Sequence, residues 1–258
     1  MKKMILSAVM LVFAASGRAQ EAGAASPTEH NEWLTTFEAV AVDADLDIKF
    51  VKVPDTEAPK IVYDTKGSYT SKFRAEVKDK TLRISEKYDS RRPDRTQVTV
   101  YYNTLQSVSL SGAAAVFEGT VDAVLLDLTL GRKASLTAAF DVKDLRMELT
   151  GGSSATLTGK AGYLTLFAST GRVAASGLEV MSAEVNAQSK ADVSLWITDR
   201  FIGKTTTNAR ITYKGQPHAG QRLYQRGAIC TGASRLNKMR VESYYAASLR
   251  GRLSTLNF

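Results

Sequence analysis

Between about residues 105 and 213, apolar and polar positions alternate in short runs that recur every 16 to 21 residues. One run is marked by Leu110, Leu128, Met147, Leu166 and Val185, spaced 18, 19, 19 and 19 apart. Around them Leu126, Leu128 and Leu130 share one side of a strand, while Asp127 and Thr129 take the other. Leu145, Met147 and Leu149 repeat that arrangement, followed by Leu164 and Leu166, then Ala183, Val185 and Ala187. The period is two, as a half-buried strand requires, where a helix needs apolar residues three and four apart. A second run in each unit carries Ala114-Ala-Val116, Ala134-Ser-Leu136, Ala155-Thr-Leu157, Gly171-Arg-Val173, Ala191-Asp-Val193 and Ala209-Arg-Ile211. Its Val, Leu and Ile positions are expected to stack inward, with the Ala and Gly positions in an inward column beside them.

Two strand runs per unit at a period near 19 predict an all-β solenoid of stacked coils. An antiparallel sandwich or barrel would tolerate more variable spacing. Clusters such as Ser111-Gly-Ala-Ala and Gly151-Gly-Ser-Ser suit the corners, because Gly accepts positive φ and Ser bonds to nearby backbone. Residues 33–103 are less regular but of the same kind: Phe37, Val40 and Val42 alternate, then Leu46, Ile48 and Phe50, and Ile61, Leu82, Ile84, Val98 and Val100 mark further strands. The resulting division is a leader at 1–20, a linker at 21–32, the solenoid at 33–239 and a basic tail at 240–258.

The leader follows from Lys2 and Lys3, a short apolar stretch Ile5–Ala15, and small residues at Gly17 and Ala19. That stretch is too short for a stable span and has the form of a secretory signal peptide. Export to the periplasm, the outer-membrane surface or the medium is therefore expected. Cys230 is the only cysteine, so no internal disulfide framework is available and the apolar core must hold the fold.

Phe37-Glu-Ala-Val, Leu46-Asp-Ile48, Thr81-Leu-Arg-Ile84, Val98-Thr-Val100, Leu105-Gln-Ser-Val-Ser-Leu-Ser-Gly112 and Ile211-Thr-Tyr-Lys-Gly-Gln-Pro217 resemble the auto-transporter adhesin head domain, the GIN domain. Thr231-Gly-Ala-Ser-Arg-Leu236 resembles its closing coil. The resemblance covers roughly residues 34–238. It implies a right-handed parallel β-helix-like fold on an exported bacterial envelope protein of adhesin type.

The net charge of +8 changes little. Three cations lie in the leader, and residues 218–258 hold six Arg and Lys238 against Glu242, so the body is near neutral. A nucleic-acid partner would call for a basic stripe on that body. Candidate chemistry is sparse. His30 sits in the expected linker and His218 past the last regular coil, so no Ser/His/Asp set is seated on the scaffold. One Cys and two His exclude the usual zinc ligand sets.

Asp43, Asp45 and Asp47 alternate and are candidate ligands for a hard cation such as Ca²⁺; the other reading is a charged edge strand that resists aggregation. Arg172, Asp192 and Arg210 form an expected charge ladder between coils. Tyr163, Phe167 and Trp196 are expected to point outward, where rings stack on sugars or anchor a protein interface. These features favour a non-enzymatic protein that binds a glycan or surface protein along a β-face. A polysaccharide-active lyase or hydrolase and a structural spacer are the alternatives.

Overall fold

The computed structural model describes residues 28–66, 70–87, 94–217, 219–226 and 229–232. The leader at 1–20, most of the expected linker, His218 and the tail at 240–258 lie outside them. Among the described residues, sixteen strands form one sheet that winds into coils of about 19 residues, a β-solenoid of about 6 turns. Its core runs down the middle as one apolar cluster.

The repeat consists of β9 (Ala114–Gly131), β10 (Ser135–Leu149), β11 (Ser154–Ser169), β12 (Arg172–Gln188) and β13 (Asp192–Thr206), closed by β14 (Arg210–Lys214), β15 (Ala219–Arg226) and β16 (Ile229–Gly232). All of these pair in parallel. Each long strand supplies both runs of a coil and bends between them, where the register shifts at Thr137/Ala139, Thr156/Thr158 and Ala175/Glu179. Gly159 occupies one such bend at φ +100, and a Cβ there would run into the Phe140 carbonyl oxygen. Between coils the chain turns through paired left-handed residues, Arg132-Lys133, Gly151-Gly152, Ser189-Lys190 and Thr207-Asn208. Each pair is closed by a backbone bond across it, such as Ala134 N–H to Gly131 O at 3.0 Å and Ala191 N–H to Gln188 O at 3.1 Å.

Leu126, Leu128, Leu130, Leu145, Met147, Leu149, Leu164, Leu166, Ala183, Val185 and Ala187 are all buried, as the alternation predicts. The second run needs two corrections. Val116, expected inward, is 49% exposed, whereas Phe117, which strict alternation with Val116 would put outside, is buried. The first coil is therefore one residue out of the expected register: Leu136 pairs with Ala115, not Val116. Ala113, Ala114 and Ala115 carry almost no facing preference, and Phe117 decides by stacking on Phe50 at 4.5 Å. The inward columns also slip by two at β11, so that Leu136 lies over Ala155 and Ala138 over Leu157. Large over small in one column and small over large in the next fills the space evenly.

The preceding part is built differently. It contains β1 (Glu29–Trp33), β2 (Ala39–Asp43), β3 (Leu46–Lys52), β4 (Lys60–Asp64), β5 (Phe73–Lys78), β6 (Thr81–Glu86), β7 (Thr96–Tyr102) and β8 (Ser107–Ser111). The coil made by β2 and β3 lies between that of β6 and β7 and that of β8 and β9. The chain thus starts one coil in, doubles back to build the end coil, and then steps over its own start. Antiparallel strands cover this end: β4 on β7, β1 on β4 and β5 on β6. Strand β1 brings residues 29–32 of the expected linker, together with Trp33, into the sheet.

Candidate functional site

The corner after β2 gathers a cluster of charged side chains. Asp43 ends β2 and Asp47 lies in β3, so the three aspartates straddle a bend and do not share one strand. Arg95 reaches them from the start of β7: its Nε donates to Asp45 at 2.7 Å and its Nη1 to Asp47 at 2.8 Å, with Nη2 also on Asp45 and 3.3 Å from the Gly112 carbonyl. Partial burial works against the charge of Arg95, but Asp45 and Asp47 outweigh it and its pKa lies above the ordinary value. Arg132 Nη2 donates to Asp43 while its Nε donates to Ser111 Oγ at 2.6 Å.

A cleft of 430 Å³ opens here, lined by Asp43, Asp45, Glu86, Arg95, Arg132 and Lys133, with Ala44 and Gly112. Glu86 accepts from Thr96 Oγ1 at 2.5 Å. A calcium ion at the three aspartates would have to displace two guanidinium groups. Among the described residues, no three His, Cys, Asp or Glu are grouped to hold a metal ion.

The other surface is a wall. Strands β1, β4, β7, β3, β9, β10, β11, β12, β13, β14 and β16 lie side by side in that order. Eleven strands at about 4.8 Å make a face roughly 48 Å long. Outward positions along it include the column Thr99, Lys49, Val116, Thr137, Thr156, Ala174, Ser194 and Thr212, set by the register from strand to strand. Beside it Arg172, Asp192 and Arg210 share a column, and Arg172 comes within 3.9 Å of Asp192.

The three expected aromatics are not gathered into one site. Tyr163 is 38% exposed, and its hydroxyl lies 3.3 Å from Glu184 Oε2. Burial and then Glu184 hold its pKa above the ordinary value. Phe167 is half-buried on the same run of β11, in register with Glu148 and Asn186. Four residues of strand separate the two, about 13 Å. Trp196 lies on the other run, half-buried under the Lys214 ammonium, which sits 4.4 Å from the ring centroid.

A different cluster was missed. Trp33 on β1, Lys60 on β4 and Tyr101 on β7 fall in one row across the wall. Trp33 is 68% exposed, and the Lys60 ammonium lies 5.6 Å from its ring centroid and 4.6 Å from that of Tyr101. Alternation alone could not find it, because β1 reads Glu-His-Asn-Glu-Trp with a single large apolar residue. The available signal was that lone tryptophan just ahead of the first regular strand.

Fold and surface together define an all-β solenoid head with an extended side wall. The chain belongs to the family described as "Putative auto-transporter adhesin, head GIN domain", whose model matches residues 36–217. Its fold is shared with a crystal structure of a putative adhesin from Bacteroides fragilis, at a TM-score of 0.70 and 18% identity over 79% of this chain and 94% of that one. A putative adhesin from Parabacteroides distasonis aligns at a TM-score of 0.58 and 17% identity, over 79% and 95% of the two chains. A protein from the same species described as a putative lipid binding protein aligns at 0.59 and 13%, over 80% and 96%. At these identities the likeness is one of fold. No curated protein matches the sequence. No helix among the described residues is long and apolar enough to cross a membrane.

Proposed function

We propose that this chain is an exported envelope protein of adhesin type that binds a glycan or a protein partner along its solenoid wall and catalyses no reaction. The observation that carries this reading is the wall: eleven strands in register with outward rings, hydroxyls and charges. A surface of that kind meets a long partner at many points and encloses none of it. Family membership supports the adhesin type, and the leader-like residues 1–20 support export. The cleft beside Asp45 keeps the polysaccharide-active alternative open to test, since three carboxylates line it.

An array of neutral and acidic glycans and bacterial surface proteins, combined with an assay for released reducing or unsaturated sugar ends, separates the two. The expected result is retention without release, weakened about threefold or more when Trp196, the ring on the wall run of β13, is changed to Ala. Sugar release that disappears in Asp45→Asn would replace the binding reading with the enzyme.

A further inference from the structure

We propose that the N-terminal end of the wall is a stacking platform for an acidic sugar, with Trp33 and Tyr101 taking ring faces and Lys60 taking a uronate carboxylate. This rests on the reading of the wall as a binding face and names one subsite on it. Three observations support the assignment.

The first is exposure. Trp33 stands 68% exposed on a strand that is otherwise polar. A bare indole is a costly thing to keep in water and a good surface for the apolar face of a pyranose.

The second is spacing. Lys60 Nζ is 5.6 Å from one ring centroid and 4.6 Å from the other, so the rings are at most about 10 Å apart with the ammonium between them. Consecutive units of one oligosaccharide can meet both.

The third is charge. Lys49 next to this row is paired with Glu118, and Arg95 with Asp45 and Asp47. No ion pair engages Lys60 among the described residues. Two rings strip part of its water, which strengthens its pull on an incoming anion. Asn31 and Thr99 flank the row as partners for sugar hydroxyls.

Trp33 and Trp196 are the two tryptophans of the chain, so Trp196→Phe leaves Trp33 as the single fluorescent reporter. It is titrated with galacturonate, mannuronate, guluronate and glucuronate oligosaccharides and with their methyl esters. At least one acid should move the emission and bind about two- to fivefold more tightly than its ester. Lys60→Gln should erase that preference while still binding. Trp33→Ala, followed calorimetrically, should weaken binding about three- to tenfold.

Emission unmoved by all four acids overturns the platform, and so does an acid preference that survives Lys60→Gln. An equal response to poly-glutamate reassigns the site to acidic peptide and overturns it as well. Glycan retention on the array that Trp196→Ala abolishes and Trp33→Ala leaves intact would remove the platform alone. No retention of any glycan or protein would remove the wall reading too.

Discussion

The two halves of the sheet are built in different ways. From β9 onward each coil lies on its sequence neighbour, and every pairing is parallel. Before β9 the coil order departs from the sequence order, and three antiparallel pairings close the stack. A solenoid end exposes a row of unpaired backbone groups, which invites association. Antiparallel strands cover the parallel edge and replace it with the short, charged β1 and β5. The repeat gains regularity from local stacking; the N-terminal part gains a cap from long-range pairing. The surface follows the same division. The repeat offers a uniform Ser/Thr-rich wall, while the cap brings together residues far apart in the chain, at the charged cleft and at the Trp33 row.

Backbone tolerance should differ most between the interior of the repeat and its first strand, where it meets the N-terminal part. Gly159 in β11 is pressed against the coil before it, whereas Gly119 in β9, at φ +77, has nothing within 4 Å of its would-be Cβ. Gly159→Ala combines left-handed strain with a backbone clash and should cost about 3–5 kcal/mol. Gly119→Ala bears the conformational strain alone, about 1 kcal/mol. Urea denaturation of the two variants measures the gap. Equal losses would mean that the coils are not packed backbone to backbone as the repeat requires.

Alkaline pH should discriminate the regions next. Tyr102 lies buried in the N-terminal part, and burial pushes it up to about 12. Tyr63 is also raised to about 12, by burial and by the hydrogen bond its hydroxyl donates to Glu32 at 2.6 Å. Both favour the neutral phenol when folded, so their stabilisation is complete below the unfolded value near 10 and is lost as pH climbs from about 10 to 12. For Tyr102 the loss is on the order of 2 kcal/mol. Tyr63 should lose less, because its hydroxyl lies beside the edge strand β1 and is better solvated. Trp33 reports on this region and Trp196 on the repeat. In single-tryptophan variants, Trp33 emission should change at a lower pH than Trp196 emission, and Tyr102→Phe should delay it. Simultaneous change at both would show one cooperative unit and dissolve the distinction.

How much of this was legible depends on what each residue says locally. Leu126, Leu128 and Leu130 announce their side because each alternates with Asp or Thr. Ala113, Ala114 and Ala115 announce nothing, so alternation alone puts Val116 inside and Phe117 outside, and only the ring of Phe50 sets the true register. The doubling-back of the N-terminal coils has no local signature, since parallel and antiparallel partners of β6 or β7 demand the same alternation. At the cleft, the spacing of Asp43, Asp45 and Asp47 was visible. Their counterions were not: Arg95 is 50 residues from Asp45, and Arg132 is 89 from Asp43. Acids read without those cations suggest a metal; read with them they form a clasp.

That clasp offers the finest comparison between the regions, and the smallest expected effect. Arg95 joins Asp45, Asp47 and the Gly112 carbonyl, which belong to the approach to β3, its start and the turn before β9. Its loss leaves neighbouring carboxylates to repel one another where two coils meet, so Arg95→Ala should cost about 1–2 kcal/mol. Arg172 makes a single contact with Asp192 at 3.9 Å, with side chains 75% and 49% exposed. Arg172→Ala should cost less than about 0.5 kcal/mol. Added salt should screen both pairs, and it should weaken the wild type towards Arg95→Ala more than towards Arg172→Ala. Thermal melts at low and high salt supply the measurement. If Arg172 proved the costlier loss, the charge ladder would be holding the repeat together, and the corner arginine would be surface decoration on a cap held by its apolar core.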